Sequence, residues 1–169
     1  AKWKKSCLQL GAWHLTECAM YERKDHYYKK AKKEGLASRA AYKLLEIEKK
    51  FKIWKKGDQI LELGAAPGGW LQILAKEVGP QGSVVAIDLL PLQITPPSNI
   101  IFHQKNFLEV SLAEKSFDLI LSDLSPNLTG ISFKDTYQSF ELARQVWKIA
   151  ENCLKKGGHL VLKIFPGEE

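Results

Sequence analysis

Residues 62–70 read Glu62-Leu63-Gly64-Ala65-Ala66-Pro67-Gly68-Gly69-Trp70. The run follows a short apolar stretch, Gln59-Ile60-Leu61, and precedes a segment with helical character, Leu71 to Val78. Strand, acidic residue, small-residue loop and helix, in that order, build a nucleoside-binding corner. Small residues let the backbone approach a ligand closely. A helix start adds N–H donors and the positive end of its dipole. A glycine turn that binds nothing is the bland alternative for one such loop taken alone.

Outward from this loop the pattern repeats. Gln59 to Leu63 reads as a strand, Ser83 to Ile87 as a second ending at Asp88, and Ile100 to Gln104 as a third. Phe117 to Ser122 reads as a fourth, ending at Asp123, and His159 to Phe165 as a fifth, carrying Lys163. Leu71–Val78 and Thr136–Leu154 supply helices. The second has a stripe of Phe140, Ala143, Trp147, Ala150 and Leu154, which predicts its core face, and a stop at Lys155-Lys156-Gly157-Gly158. Short apolar strands alternating with helices predict an α/β fold with a mostly parallel sheet covered on both faces. Ligands on such sheets bind at the carboxyl ends of the strands, where Glu62, Asp88 and Asp123 fall. Upstream, Ser38 reads as the N-cap of a helix through about Phe51. Leu44, Ile47 and Phe51 form its apolar stripe, with Lys43 off it.

The 169 residues suit one domain, and 45% hydrophobic content excludes global disorder. We divide the chain into an arm, 1–20, and a domain, 21–169, itself split into a basic segment, 21–56, and a core, 57–169. Formal charge is +6, from 25 Lys and Arg against 19 Asp and Glu. That balance favours a polyanionic partner, and the basic residues crowd the first third. Cys7, Cys18 and Cys153 are too scattered for a disulfide framework or a zinc site, so no metal is expected. No apolar run approaches membrane-span length, and residues 1–20 lack the apolar core of a secretory signal. The expected location is the cytoplasm, with mitochondria as the alternative, and the expected state is a monomer.

Glu62, the loop from Gly64 to Trp70 and Asp88 read as a nucleoside pocket. An acidic residue about 20 positions after the glycines can hold a ribose diol. Dinucleotide oxidoreductases and S-adenosylmethionine enzymes share this arrangement. The loop lacks the G-x-G-x-x-G spacing of the former, which favours S-adenosylmethionine. Asp123 opens the stretch Asp123-Leu124-Ser125-Pro126-Asn127, as a site residue or as an ordinary turn former. Lys163 interrupts an apolar strand, either for chemistry or as an outward charge guarding a sheet edge.

ELGAAPGGW, LSDLSPN, LVLKIFPGE and KKAKKEGLASRAAYKL together resemble the FtsJ (RrmJ-like) ribose 2′-O-methyltransferases, from about residue 23 to 169. The resemblance implies a Rossmann-like S-adenosylmethionine-dependent methyltransferase fold. It also implies methyl transfer from S-adenosylmethionine to an RNA 2′-hydroxyl through a Lys-Asp-Lys-Glu tetrad. The first three members fall on Lys43, Asp123 and Lys163. The fourth lies on a later strand, beyond Glu169. The last two strands of the usual sheet are therefore expected to be absent, leaving residues 159–165 as an exposed edge and catalysis impaired. For the cofactor the resemblance implies Glu62, Gly64, Ala65, Pro67, Gly68, Gly69, Trp70, Asp88, Leu89, Asn106, Phe107 and Asp123. Asn106 stands where the family commonly has Asp.

Lys163 is the candidate base for the ribose hydroxyl, or else a charge that orients it and stabilises the developing alkoxide. Lys29, Lys30, Lys32, Lys33 and Arg39 are expected to meet RNA phosphates, with Tyr27 or Tyr28 stacking a base. A solvated face is the bland alternative. Ser125-Pro126-Asn127 resembles the ribosomal branch of the family, which implies large-subunit ribosomal RNA as substrate over the tRNA anticodon loop or an mRNA cap. A non-catalytic RNA-binding assembly factor is the third possibility.

Overall fold

The computed structural model describes the backbone of residues 3–9 and 12–18, and residues 33 and 35–166 in full. Lys29, Lys30 and Lys32, with Tyr27 and Tyr28, lie outside the described residues. The chain forms two compact units, residues 22–111 and residues 112–169 with 1–21.

The first unit holds helix α1 (Ala40–Phe51), strand β3 (Gln59–Leu63), helix α2 (Gly69–Val78), β4 (Ser83–Asp88) and β5 (Ile100–Gln104). β3 pairs with β4, and β4 with β5, both parallel. Ile60, Leu61, Leu63, Leu71, Leu74 and Val84 are essentially inaccessible and form its core. β3 is buried along nearly its whole length, as a parallel strand covered on both faces requires. The predicted strand bounds match closely here. α2 begins two residues earlier than predicted, and α1 starts at Ala40 with Arg39 at the N-cap and no side-chain cap bond. The Ser38 hydroxyl instead accepts from Ala40 N–H at 3.1 Å, one position further out.

The second unit holds β1 (Trp3–Gln9), β2 (Ala12–Cys18), β6 (Phe117–Ser122), helix α3 (Ser132–Cys153) and β7 (Leu154–Ile164). Its strands run in the order β2-β1-β7-β6. β6 and β7 are parallel, while β1 is antiparallel to both β7 and β2. The exposed edge expected at residues 159–165 is therefore absent. β1 covers it from Lys4 opposite Ile164 to Gln9 opposite His159. Unpaired N–H and C=O groups on an apolar strand attract any available strand, and β1, itself paired with β2, fills that place.

Two further expectations change. β7 starts at Leu154, directly from α3, five residues before the predicted start. The register slips between Phe117 opposite Leu154 and Leu119 opposite His159, so residues 155–158 bulge. Gly157 takes φ +81° there, and Lys155 Nζ reaches Asp118 at 2.8 Å. The glycines thus serve a bulge rather than a helix cap. On α3 the buried face is Ser139, Ala143, Val146, Ala150 and Cys153, while Phe140 is 55% exposed. Phe140 thus leaves the predicted core face, since hydrophobicity alone does not set which side of a helix is buried. Small and polar residues fill the tight seam against the sheet instead.

Among the described residues, no helix is long and apolar enough to cross a membrane.

Candidate functional site

In the first unit, the loops leaving β3 and β4 are tied together by backbone bonds and by the Asp88 carboxylate. Gly64 N–H donates to Ile87 O at 2.9 Å. Ala66 N–H donates to the Asp88 carboxylate at 2.8 Å, and Leu90 N–H to its other oxygen at 2.8 Å. Gln93 N–H closes onto Pro67 O at 3.0 Å. A carboxylate has about four acceptor sites, so Asp88 keeps capacity for a diol while fixing the loop. Asn106 Oδ1 accepts from Leu108 N–H at 3.1 Å and caps a short 3-10 turn over Phe107–Glu109. Leu89 is exposed and Phe107 buried. Within the loop, Gly64, Ala66 and Pro67 are partly accessible, whereas Ala65, Gly68 and Gly69 are buried.

Glu62 is buried at 1% exposure. Trp70 differs from expectation. Its indole is 3% exposed and donates from Nε1 to Ala40 O at 2.7 Å. The ring is core, so any cofactor contact from Trp70 falls to its backbone at the start of α2. Gln72 adds two bonds to the same segment, accepting from Ala37 N–H at 2.7 Å and donating to Gly35 O at 3.1 Å. A Cβ built on Gly69 would lie 2.7 Å from Ser38 Cβ. Residues 35–40 are thus seated on the first turn of α2. They lead directly into α1, whose second turn carries the half-buried Lys43. Arg39 is half-buried at the α1 cap, and Lys33 is exposed. Ser38 and Gln72 had no signal in the sequence as positioning residues, because the contact needs the fold.

The second unit brings Asp123 and Lys163 together. Lys163 Nζ lies 3.0 Å from Asp123 Oδ1 and donates to Asp123 O at 2.8 Å. The Lys163 side chain is 13% exposed. β7 lies between β1 and β6, so this lysine does not guard an edge.

The first turns of α3 hold both strand exits. Asp135 accepts from Thr129 N–H at 2.8 Å, from Thr129 Oγ1 at 2.7 Å and from Gly130 N–H at 3.1 Å. These bonds fold the loop after Asp123 onto the helix. Ser139 Oγ accepts from Phe165 N–H at 3.0 Å, and Thr136 Oγ1 donates to Pro166 O at 3.2 Å. They secure the chain just after Lys163. Of these three residues only Asp135 carries a signal in the sequence, an acid in the first turn of a helix.

The bonds from the Thr129 backbone and hydroxyl hold the Asp135 carboxyl below the usual carboxylate range, with Gly130 N–H and the Lys134 charge adding to them against an opposing effect of burial. A lowered folded value means the unfolded chain takes up the proton first as pH falls. The stabilisation is then complete above the ordinary carboxylate value of about 3.9 and is lost as pH drops through the folded value. The gap in urea midpoint between the wild type and Asp135→Ala is expected to be constant from about pH 5 to 7 and to close in stronger acid. Midpoints measured across that range test this; a gap that persists unchanged at the acid end would remove Asp135 from the loop's stability.

Comparison with known proteins adds to this geometry. The family model for FtsJ-like methyltransferases matches residues 36–169. The chain belongs to the FtsJ-like methyltransferase family. It is 45% identical over 156 residues to a Coxiella burnetii protein named Ribosomal RNA large subunit methyltransferase E, covering 85% of this chain and 73% of the relative. A Nitratidesulfovibrio vulgaris protein of the same name is 42% identical over 157 residues, covering 89% and 77%. Among solved structures, a Plasmodium falciparum protein assigned as a ribosomal RNA methyltransferase superposes with a TM-score of 0.68 at 26% identity. That match covers 78% of this chain and 80% of the other. The fold is the Rossmann-like methyltransferase fold. In this FtsJ-like chain the matched residues include the β3–α2 loop, the end of β6 and the end of β7.

Proposed function

We propose that this chain transfers a methyl group from S-adenosylmethionine to a ribose 2′-hydroxyl of large-subunit ribosomal RNA. The observation that carries the chemistry is the Lys163–Asp123 pair, an amine fixed at 3.0 Å from a carboxylate where two parallel strands end. The relatives' shared name supports the substrate.

The β3–α2 loop fits the cofactor. Gly64 and Gly68 take φ +84° and +110°, and a Cβ on Gly68 would meet the Ile94 side chain at 2.7 Å. Packing against Ile94 keeps Gly68 a glycine, and the partly accessible Gly64 leaves side-chain-free backbone for a nucleoside to approach. Gly64, Pro67, Gly69 and the Trp70 backbone would hold the methionine and ribose portions, Asp88 the ribose diol, and Asn106 the adenine amino group. When bound, the cofactor supplies an electrophilic methyl group.

The remaining chemistry belongs to the chain. A ribose hydroxyl is a poor nucleophile until its proton is taken or its developing charge is met. Lys163 does one or the other, and Asp123 holds its nitrogen in place. Lys43 is the third member by motif. Lys33 and Arg39, with Lys29, Lys30 and Lys32, supply phosphate contacts.

Tritiated methyl transfer from S-adenosylmethionine to large ribosomal subunits and to tRNA tests the reading. Label in ribosomal RNA that makes one linkage resistant to alkali is the expected result. Label in tRNA alone would reassign the substrate. Intact cofactor binding with no label in either would indicate a non-catalytic RNA-binding protein.

A further inference from the structure

Helix α3 has two unlike faces. One carries Asp135, Thr136 and Ser139 against the strand exits. The other exposes Phe133 at 77%, Tyr137 at 58% and Phe140 at 55%. These three recur at i, i+4 and i+7, within a narrow arc of a helix. Arg144 and Lys148 continue the same stripe at i+11 and i+15, and both are exposed. Glu141 holds the Arg144 guanidinium at 2.8 Å, so part of that charge is compensated. Leu128 and Ile131, exposed at 65% and 61%, extend the surface into the loop that follows Asp123.

Large exposed aromatics in a row cost hydration and call for an occupant. At 150–250 Å² per fully buried aromatic, the three offer roughly 400 Å², about half of what one partner contributes to a stable protein interface. The cations on the stripe and the chain's net charge of +6 oppose a second copy and favour a polyanionic ligand. The face suits a different ligand class. Flat rings spaced along a stripe that ends in cations match unpaired bases followed by phosphates. Every base has a π-face, so such a surface needs no fixed sequence.

We propose that Phe133, Tyr137 and Phe140 form a stacking platform for single-stranded RNA, with Arg144 and Lys148 meeting the backbone. The proposal rests on the reading of the chain as an RNA methyltransferase and adds a surface on which unpaired substrate lies. The platform starts from the loop that Asp135 secures behind Asp123. It therefore acts on substrate binding, not on the methyl-transfer step.

The test uses the full chain and two fluorescent RNAs, a 12-nucleotide single strand and a duplex of the same length, read by anisotropy. The triple variant Phe133→Ala, Tyr137→Ala, Phe140→Ala is expected to bind the single strand at least tenfold more weakly. Duplex affinity should change little. Because all three side chains are exposed, its melting temperature should stay near wild type. Phe133→Tyr and Tyr137→Phe keep the rings and should retain affinity. In methyl transfer to ribosomal RNA the triple variant should raise KM and leave kcat unchanged. Unchanged single-strand affinity, or a wild type that binds no single strand, overturns the platform. A wild type that self-associates in ultracentrifugation, with the triple variant monomeric, also overturns it and assigns the face to a second copy. A wild type without methyl transfer whose single-strand binding still depends on the three rings would sink the enzymatic reading and leave the platform standing.

Discussion

Lys163→Ala is expected to lower kcat for methyl transfer by about 10²–10⁴-fold, the range contributed by a positioned proton-transfer group. Cofactor binding should survive, because every cofactor contact proposed above except Asp123 comes from the other unit. The Lys163 nitrogen makes two bonds to Asp123, one to its carboxylate at 3.0 Å and one to its carbonyl at 2.8 Å. Losing both leaves a partly buried carboxylate with weaker compensation, a cost of about 1–3 kcal/mol in unfolding free energy. The variant should therefore melt lower yet remain folded, so lost activity and lost structure can be told apart by circular dichroism. Lys163→Arg separates the two roles left open for the amine. Arginine keeps the charge and cannot accept a proton. Activity near wild type would point to electrostatic stabilisation, and a loss equal to that of alanine would point to proton transfer. A folded Lys163→Ala variant with ordinary kcat would remove this residue from the reaction.

Gly69→Ala is expected to destabilise the first unit and weaken S-adenosylmethionine binding together. In an open helix the change would stabilise, since alanine is favoured over glycine by about 1 kcal/mol. Gly69 lies in the first turn of α2, and the new Cβ would stand 2.7 Å from Ser38 Cβ, 3.0 Å from its nitrogen and 3.1 Å from its oxygen. Two of those atoms are backbone and cannot rotate away. The segment cannot slide either, because Gln72 grips Gly35 and Ala37 while Trp70 grips Ala40. Overpacking of this kind costs about 1–3 kcal/mol, which outweighs the propensity gain. The melting temperature should fall by about 2–12 °C for a chain of this size. Isothermal titration should show weaker cofactor binding, because the displaced residues border the loop. Adding Ser38→Gly removes the closest of the three contacts and should restore part of the stability. No rescue, or a Gly69→Ala variant as stable as wild type, would mean the seam is looser than its distances imply.

How far the sequence went can be judged at particular residues. β3, β5 and β6 match the sequence reading to the residue, and β4 ends at its closing Asp88, because each is a short segment rich in branched apolar residues bounded by polar or turn-forming ones. The positions of the Gly64–Trp70 loop after β3, of Asp88 at the end of β4, of Asp123 just after β6 and of Lys163 near the end of β7 are also as the sequence places them. Trp70 was read as part of the cofactor pocket, yet its indole is core. A tryptophan after a glycine loop looks the same in sequence whether it faces a ligand or a neighbouring helix.

The sequence by itself determined the α/β alternation, the strand ends and the acidic and basic residues placed there. Local periodicity and residue chemistry are sufficient for those. Tertiary structure alone decided which residues hold them. It set Ser38 against Gly69, 31 residues away in the chain, and bound Gln72 to Gly35 and Ala37. It turned Asp135 and Ser139 toward the strand exits and Phe140 toward solvent. It laid residues 3–9 along β7, which the sequence had left as a bare edge. Apart from the local bonds of Asp135, these depend on contact between segments distant in the chain, and such contacts leave no periodic trace in either segment. They are fixed only when close packing, backbone pairing and buried hydrogen bonds are satisfied together.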